Sequence, residues 1–102
     1  MGKNRIRESL IKNIVNVVVH EIIAKHTNKP ESLHFLNSEI IEYVSQTKKM
    51  TNKYNWDKED KEYIEENALQ MIEEKLLTKY SDVICSEQEI IKKLKDLINE
   101  MI

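Results

Sequence analysis

Three histidines and one cysteine are the side chains of this sequence with the greatest capacity for chemistry. The stretch from His20 to His26 offers two imidazoles and the Glu21 carboxylate on one predicted helix. Zinc-binding histidines on a helix stand four residues apart, so that both rings point the same way. Here the spacing is six, which turns the two rings to different sides. We expect no metal site and no cofactor here, although the sequence leaves open whether the fold brings His34 close.

Cys85 precedes a predicted helix, and a helix N-terminus lowers the pKa of a thiol. Its neighbours Val83 and Ile84 are apolar, and a nucleophilic cysteine needs a base beside it. We therefore expect a buried structural cysteine and no enzymatic activity. As the only cysteine, Cys85 cannot form an internal disulfide. A reducing cytoplasm is the expected location.

Oxygen side chains from Asn55 to Glu66 partly match the spacing of a calcium-binding loop. Such a loop needs glycine at its sixth position to turn sharply, and Asp60 stands there. Asp57 is instead a good N-cap for a helix, with Glu59 and Asp60 in the first turn, where the helix dipole favours negative charge. We expect a capped helix start rather than a calcium site.

Two groups of basic residues could contact phosphates, and the second lies next to Tyr54 and Trp56. Basic side chains interleaved with aromatic rings suit single-stranded nucleic acid, because bases stack on the rings while cations meet the phosphates. The net charge of −2 and the presence of only two arginines argue against this function. The basic residues concerned are Lys3, Arg5, Arg7, Lys48, Lys49 and Lys53.

The elements that must position these residues are helices. With one glycine and one proline in 102 residues, the chain has few residues suited to the tight turns that sheets need. Hydrophobic spacing predicts a single all-α domain spanning residues 1–102, a small antiparallel bundle of about four helices. The predicted helices cover residues 3–26, 38–50, 57–80 and 87–101. Their expected N-caps are Asn37 or Ser38 for the second, Asp57 for the third and Ser86 for the fourth.

The first predicted helix is apolar around most of its circumference from residue 10 to residue 23. A helix of this kind is either the central helix of a domain or part of an oligomer interface. Polar residues interrupt the apolar stretch, so we expect no membrane span.

Our leading hypothesis is a protein–protein interaction module, either a homodimer or a small subunit of a larger assembly. The candidate interaction residues are Val15, Val19, Ile23, Leu97 and Met101. The alternative is a nucleic-acid-binding regulator that uses the basic residues above.

Overall fold

The computed structural model describes residues 3–26, 30–78 and 86–101, and for residues 30, 32 and 33 it describes the backbone alone. Four helices account for nearly all of these residues: α1 (Lys3–His26), α2 (Pro30–Thr51), α3 (Lys58–Thr78) and α4 (Glu87–Met101). The described ranges contain no strand, and the predicted all-α bundle is confirmed. The predictions for Tyr80, at the end of the third helix, and for Cys85 lie outside the described residues.

Helix α1 is the central helix of the bundle. Its neighbours α2, α3 and α4 all pack against it. They cover its broad apolar circumference on several sides, as a helix of this kind requires. Eight of its side chains are buried: Leu10, Ile11, Ile14, Val15, Val17, Val18, Val19 and Ile22.

The contacts of α1 fix the directions of its neighbours. Helix α2 runs in the opposite direction to α1, since Asn13 contacts Met50 and His20 contacts Glu39. Helix α3 runs in the same direction as α1, since Lys3 contacts Asp60 near the start of α3 and Asn16 contacts Lys75 near its end. The chain therefore alternates in direction from α1 to α2 and back again in α3, as in an up-and-down bundle.

Helices α3 and α4 follow their predicted hydrophobic stripes. The apolar side chains that they bury are Ile64, Ala68, Ile72 and Leu76 in α3 and Ile90, Leu94, Leu97, Ile98 and Met101 in α4. Asp57 accepts a hydrogen bond from the backbone N–H of Asp60 at 2.8 Å, and Ser86 accepts one from the N–H of Glu89 at 3.2 Å. Both predicted N-caps are therefore in place.

Helix α2 begins earlier than predicted. Its first residue is Pro30, and residues 31–37 are helical. We had predicted that this helix begins only at residue 38. Proline suits the first turn of a helix, because a backbone N–H there has no partner within the helix and its absence costs no hydrogen bond. No glycine or second proline follows in α2 to end the helix. Neither Asn37 nor Ser38 is therefore an N-cap, since both lie inside α2. The hydroxyl of Ser38 donates to the carbonyl of His34 one turn earlier.

Candidate interaction surfaces

The residues predicted to bind a partner lie inside this molecule or against its core. Val15, Val19, Leu97 and Met101 are buried, and Ile23 is half-buried and packs on the same core. Of the two roles open to α1, the central helix is the one that the structure shows, because three helices surround α1. The seam of α4 also faces inward, so four of the five candidate residues have almost no surface left for a partner.

The apolar surface that stays exposed on α2 lies on the side turned away from the bundle. Phe35 is 61% exposed and Ile41 is 70% exposed. Ser38 and Ser45 lie between them around the helix, and both are exposed. With 3.6 residues per turn, the residues concerned share an arc of about 120°. We name this arc the outer face of α2; its exposed side chains are Glu31, His34, Phe35, Ser38, Ile41, Glu42, Ser45 and Lys49.

This exposure follows from how α2 packs. It lies along α1 and meets α4 only briefly, and within the described ranges it does not contact α3. Only Thr47 and Thr51 are fully covered among its described side chains, while the aliphatic residues of its inner side remain half-buried. Among the side chains that the structure describes, α2 therefore has the fewest that are buried, and in this sense it has the least cover.

Charge is segregated along α2. Glu31 lies in the first turn, and Lys48 and Lys49 lie in the last turn. This arrangement complements the helix dipole. Glu42, near the middle of the helix, is also exposed on the outer side. The outer face consequently has an acidic start and a basic end.

The two predicted basic groups lie toward the same end of the bundle but do not form one cluster. The Nζ atom of Lys3 lies 5.2 Å from the centre of the Trp56 ring, so the start of α1 lies beside the α2–α3 connection. Lys48, Lys49 and Lys53 are exposed near that connection. Arg5 is also exposed, but it lies about 200° around α1 from Lys3 and so on another side of the helix. We name this region the basic end.

Asp60 is a nearly buried carboxylate within the basic end. Lys3 donates to its Oδ2 at 2.6 Å, and Arg7 donates to its Oδ1 at 3.3 Å. The hydrogen bond from Lys3, followed by bonds from Asp57, holds the pKa of Asp60 below its ordinary value despite its burial. Two of the six candidate phosphate contacts, Lys3 and Arg7, are thus already bound to an internal anion.

Arg7 is also held by its other neighbours. Its guanidinium stacks on the Tyr63 ring at 3.8 Å, and the Tyr63 hydroxyl donates to Glu8 at 2.7 Å. That bond to a carboxylate raises the pKa of the Tyr63 phenol. The Nε atom of Arg7 is buried and has no hydrogen-bond partner among the described residues. Arg7 therefore acts mainly as part of a packed network joining α1 to α3.

The aromatic residues of the basic end form an edge-to-face pair, with ring centres 6.1 Å apart for Tyr54 and Trp56. The indole N–H of Trp56 donates to the carbonyl of Thr51 at 3.0 Å. Trp56 thus anchors the α2–α3 connection to the end of α2. Both rings are only half-buried, so each keeps some surface for contact with a ligand.

The histidines do not converge. His20 bridges α1 and α2 through its two ring nitrogens, which lie 2.6 Å from the carbonyl oxygen of Asn16 and 2.7 Å from a carboxylate oxygen of Glu39. His26 and His34 are exposed. No group of three or more metal-binding side chains occurs among the residues that the structure describes. His20 is best understood as a polar link between two helices.

An open polar cleft of about 540 Å³ lies between the end of α1 and the start of α4. Lys25, Lys92 and Lys93 line it together with Glu89 and Asp96. Charges of both signs alternate around the opening, so the cleft favours neither an anionic nor a cationic ligand.

Comparison with models of protein families, with curated proteins and with solved structures yields no match. Within the described ranges, no helix has both the length and the apolar character needed to cross a membrane.

Proposed function

We propose that this chain is a protein–protein interaction module that binds a helix of its partner on the outer face of α2. The carrying observation is the exposure of Phe35 and Ile41 on the helix with the least cover. Ser38, Ser45 and Glu42 lie between them around the helix, and the two small serine side chains leave room for a second helix to approach closely. Full burial of a Phe or Ile side chain contributes about 1.5–3 kcal/mol.

A binding role rather than catalysis agrees with the arrangement of reactive side chains. The described histidines point to different parts of the bundle, and His20 is engaged by Asn16 and Glu39. General acid–base chemistry needs groups within hydrogen-bonding reach of one another and of a substrate. We further propose a cytoplasmic location, because a single cysteine in the chain suits a reducing compartment.

Site-specific photo-crosslinking tests this proposal. A photoreactive amino acid is placed at Ile41, and, in a matched control, at Leu77, which is 76% exposed on α3. In the native cells, Ile41 should give a discrete adduct that Leu77 does not give. If both positions give the same pattern, or if neither gives an adduct, the outer face of α2 is not the binding surface.

Nucleic-acid binding at the basic end is the second candidate function. It is favoured by the exposure of Lys48, Lys49 and Lys53 close in sequence to the half-buried rings of Tyr54 and Trp56. Cations that meet phosphates release counterions, so the affinity should fall as salt rises, with a slope of about −0.7 per phosphate contact on a single strand.

Fluorescence anisotropy with a labelled single-stranded oligonucleotide tests the second candidate. The double variant K48Q/K53Q should weaken binding and reduce the salt slope by about 1 to 2. The control K92Q/K95Q removes the same charge from α4 and should bind as the wild type does. If the wild type shows no binding at low salt, or if the two double variants weaken binding equally, the basic end is not a nucleic-acid site.

A further inference from the structure

We infer that the partner of the outer face of α2 is a second copy of this chain, whose own α2 packs against it in the antiparallel direction. This inference rests on the proposed function and names its partner. Charge complementarity and the placement of small and large side chains on the outer face support this pairing.

Charge complementarity sets the direction of the pair. The outer face has Glu31 at its start and Lys49 at its end. In a parallel pair, each charge would lie beside its own copy and repel it. In an antiparallel pair with a two-fold axis, Glu31 of each copy lies near Lys49 of the other. Such an interface contacts itself with the same residues on both sides.

Side-chain size sets the register. When Ser38 of one copy lies opposite Ser45 of the other, the two-fold axis passes between residues 41 and 42. The two Ile41 side chains then meet across the axis, and the small serines allow the helices to approach closely. Glu31 of one copy and Lys49 of the other are then offset by three residues along the helix axis, or about 4.5 Å. A lysine side chain can span this distance.

One feature of this register opposes association. The two Glu42 side chains lie on the same flank close to the two-fold axis, and like charges at this distance repel each other. We therefore expect a weak dimer, and we expect E42Q to tighten it. A monomer that does not pair in this way would give no such response, which makes Glu42 an informative position.

A charge-exchange experiment tests the pairing by sedimentation equilibrium. E31K and K49E each place two like charges in contact at both ends of their homodimers, and each should raise the dimer dissociation constant about tenfold, given two exposed ion pairs changed to repulsion. An equimolar mixture of the two variants should form heterodimers with close to wild-type affinity, because every pair is then of opposite sign. The double variant E31K/K49E should also recover. Both exchanged positions, Glu31 and Lys49, are exposed, and circular dichroism checks that each variant is folded.

The outcomes separate the inference from the proposed function. If the wild-type protein stays monomeric at about 0.5 mM, self-pairing is overturned. A specific crosslinked adduct between Ile41 and another protein would nevertheless leave the proposed function standing. A dimer whose dissociation constant does not change with the charge exchange also overturns the inference, because such a dimer forms through another surface. Weakening by both single variants, recovery in the mixture and tightening by E42Q together support it.

Discussion

Replacing Asp60 by alanine should destabilise the fold more than any other single loss of charge near the basic end. The carboxylate accepts hydrogen bonds from Lys3 and Arg7, and a further one from the backbone N–H of Asp57 at 3.3 Å. Its removal leaves Arg7 packed on Tyr63 without its counter-charge. The change therefore affects both the contact between α1 and α3 and the first turn of α3.

The expected magnitude follows from these contacts. Loss of one partner of a fully buried ion pair costs about 3–5 kcal/mol, but the side chain of Lys3 is 35% exposed and that of Arg7 is 20% exposed. Water compensates both cations in part, so we expect about 1–2 kcal/mol from the pair. Loss of the capping interaction adds about 0.5–1 kcal/mol. For a domain of this size, a total of about 2 kcal/mol lowers Tm by about 8–16 °C.

Thermal and urea unfolding followed by circular dichroism measure this loss. E59A is the matched control, since Glu59 lies in the same turn of α3 and is exposed; it should change stability by less than about 0.5 kcal/mol. If D60A and E59A unfold at the same temperature, the network around Asp60 contributes little to stability, and our reasoning about the α1–α3 contact is refuted.

The pH dependence of stability gives a second test of the role of Asp60. The pKa of Asp60 is held below its ordinary value in the folded protein, so its stabilising contribution is complete above the unfolded pKa of about 3.9 and is lost as the pH falls through the folded value. The stability difference between wild type and D60N should therefore be constant from pH 5 to pH 8 and shrink below pH 4. A difference that persists unchanged at pH 2 would contradict the ionic explanation.

Three further predictions concern other parts of the bundle. S86A should cost about 0.5–2 kcal/mol through loss of the α4 N-cap, measured by urea unfolding, whereas S38A should change little because Ser38 caps no helix. I72A should cost about 2–5 kcal/mol, since Ile72 is fully buried in the core, and hydrogen exchange should show faster opening of α3. Burial raises the pKa of Glu21, so its charged form opposes folding and E21Q should be more stable than wild type at pH 7. That difference in stability should disappear below pH 4, as thermal unfolding at several pH values would show. A lower stability of E21Q than of wild type at neutral pH would contradict this reasoning.

Hydrophobic spacing was sufficient to predict α1, α3 and α4, because their buried residues repeat at helical intervals over several turns. Helix α2 was predicted too short because Pro30 and the polar residues near Ser38 resemble a break and a cap. Whether a serine caps a helix or donates to a carbonyl one turn earlier depends on the backbone direction before it. That direction is set by how α2 packs along α1, which a short stretch of sequence does not contain.

The surfaces were harder to predict than the helices. The apolar circumference of α1 indicated a need for cover, but spacing cannot distinguish cover by neighbouring helices from cover by a second molecule. The network of Lys3, Arg7 and Asp60 joins residues more than 50 positions apart, and only the packing of α1 beside α3 creates it. The sequence did place Asp60 in the first turn of a helix. A second carboxylate at the position three residues after an N-cap aspartate was a signal of a reciprocal cap.

Burial of the predicted interaction residues changes which surface can bind a partner, and it also changes what a binding partner must look like. A core helix such as α1 could associate only by opening the bundle, which would expose many apolar side chains at once. The outer face of α2 can associate without any rearrangement, because Phe35 and Ile41 are already in water and the serines between them leave space. Binding there would bury few side chains, so we expect reversal of the exposed charges at the two ends to remove a sizeable share of a small association free energy. For this reason, exchange of Glu31 and Lys49 should affect association far more than it affects folding.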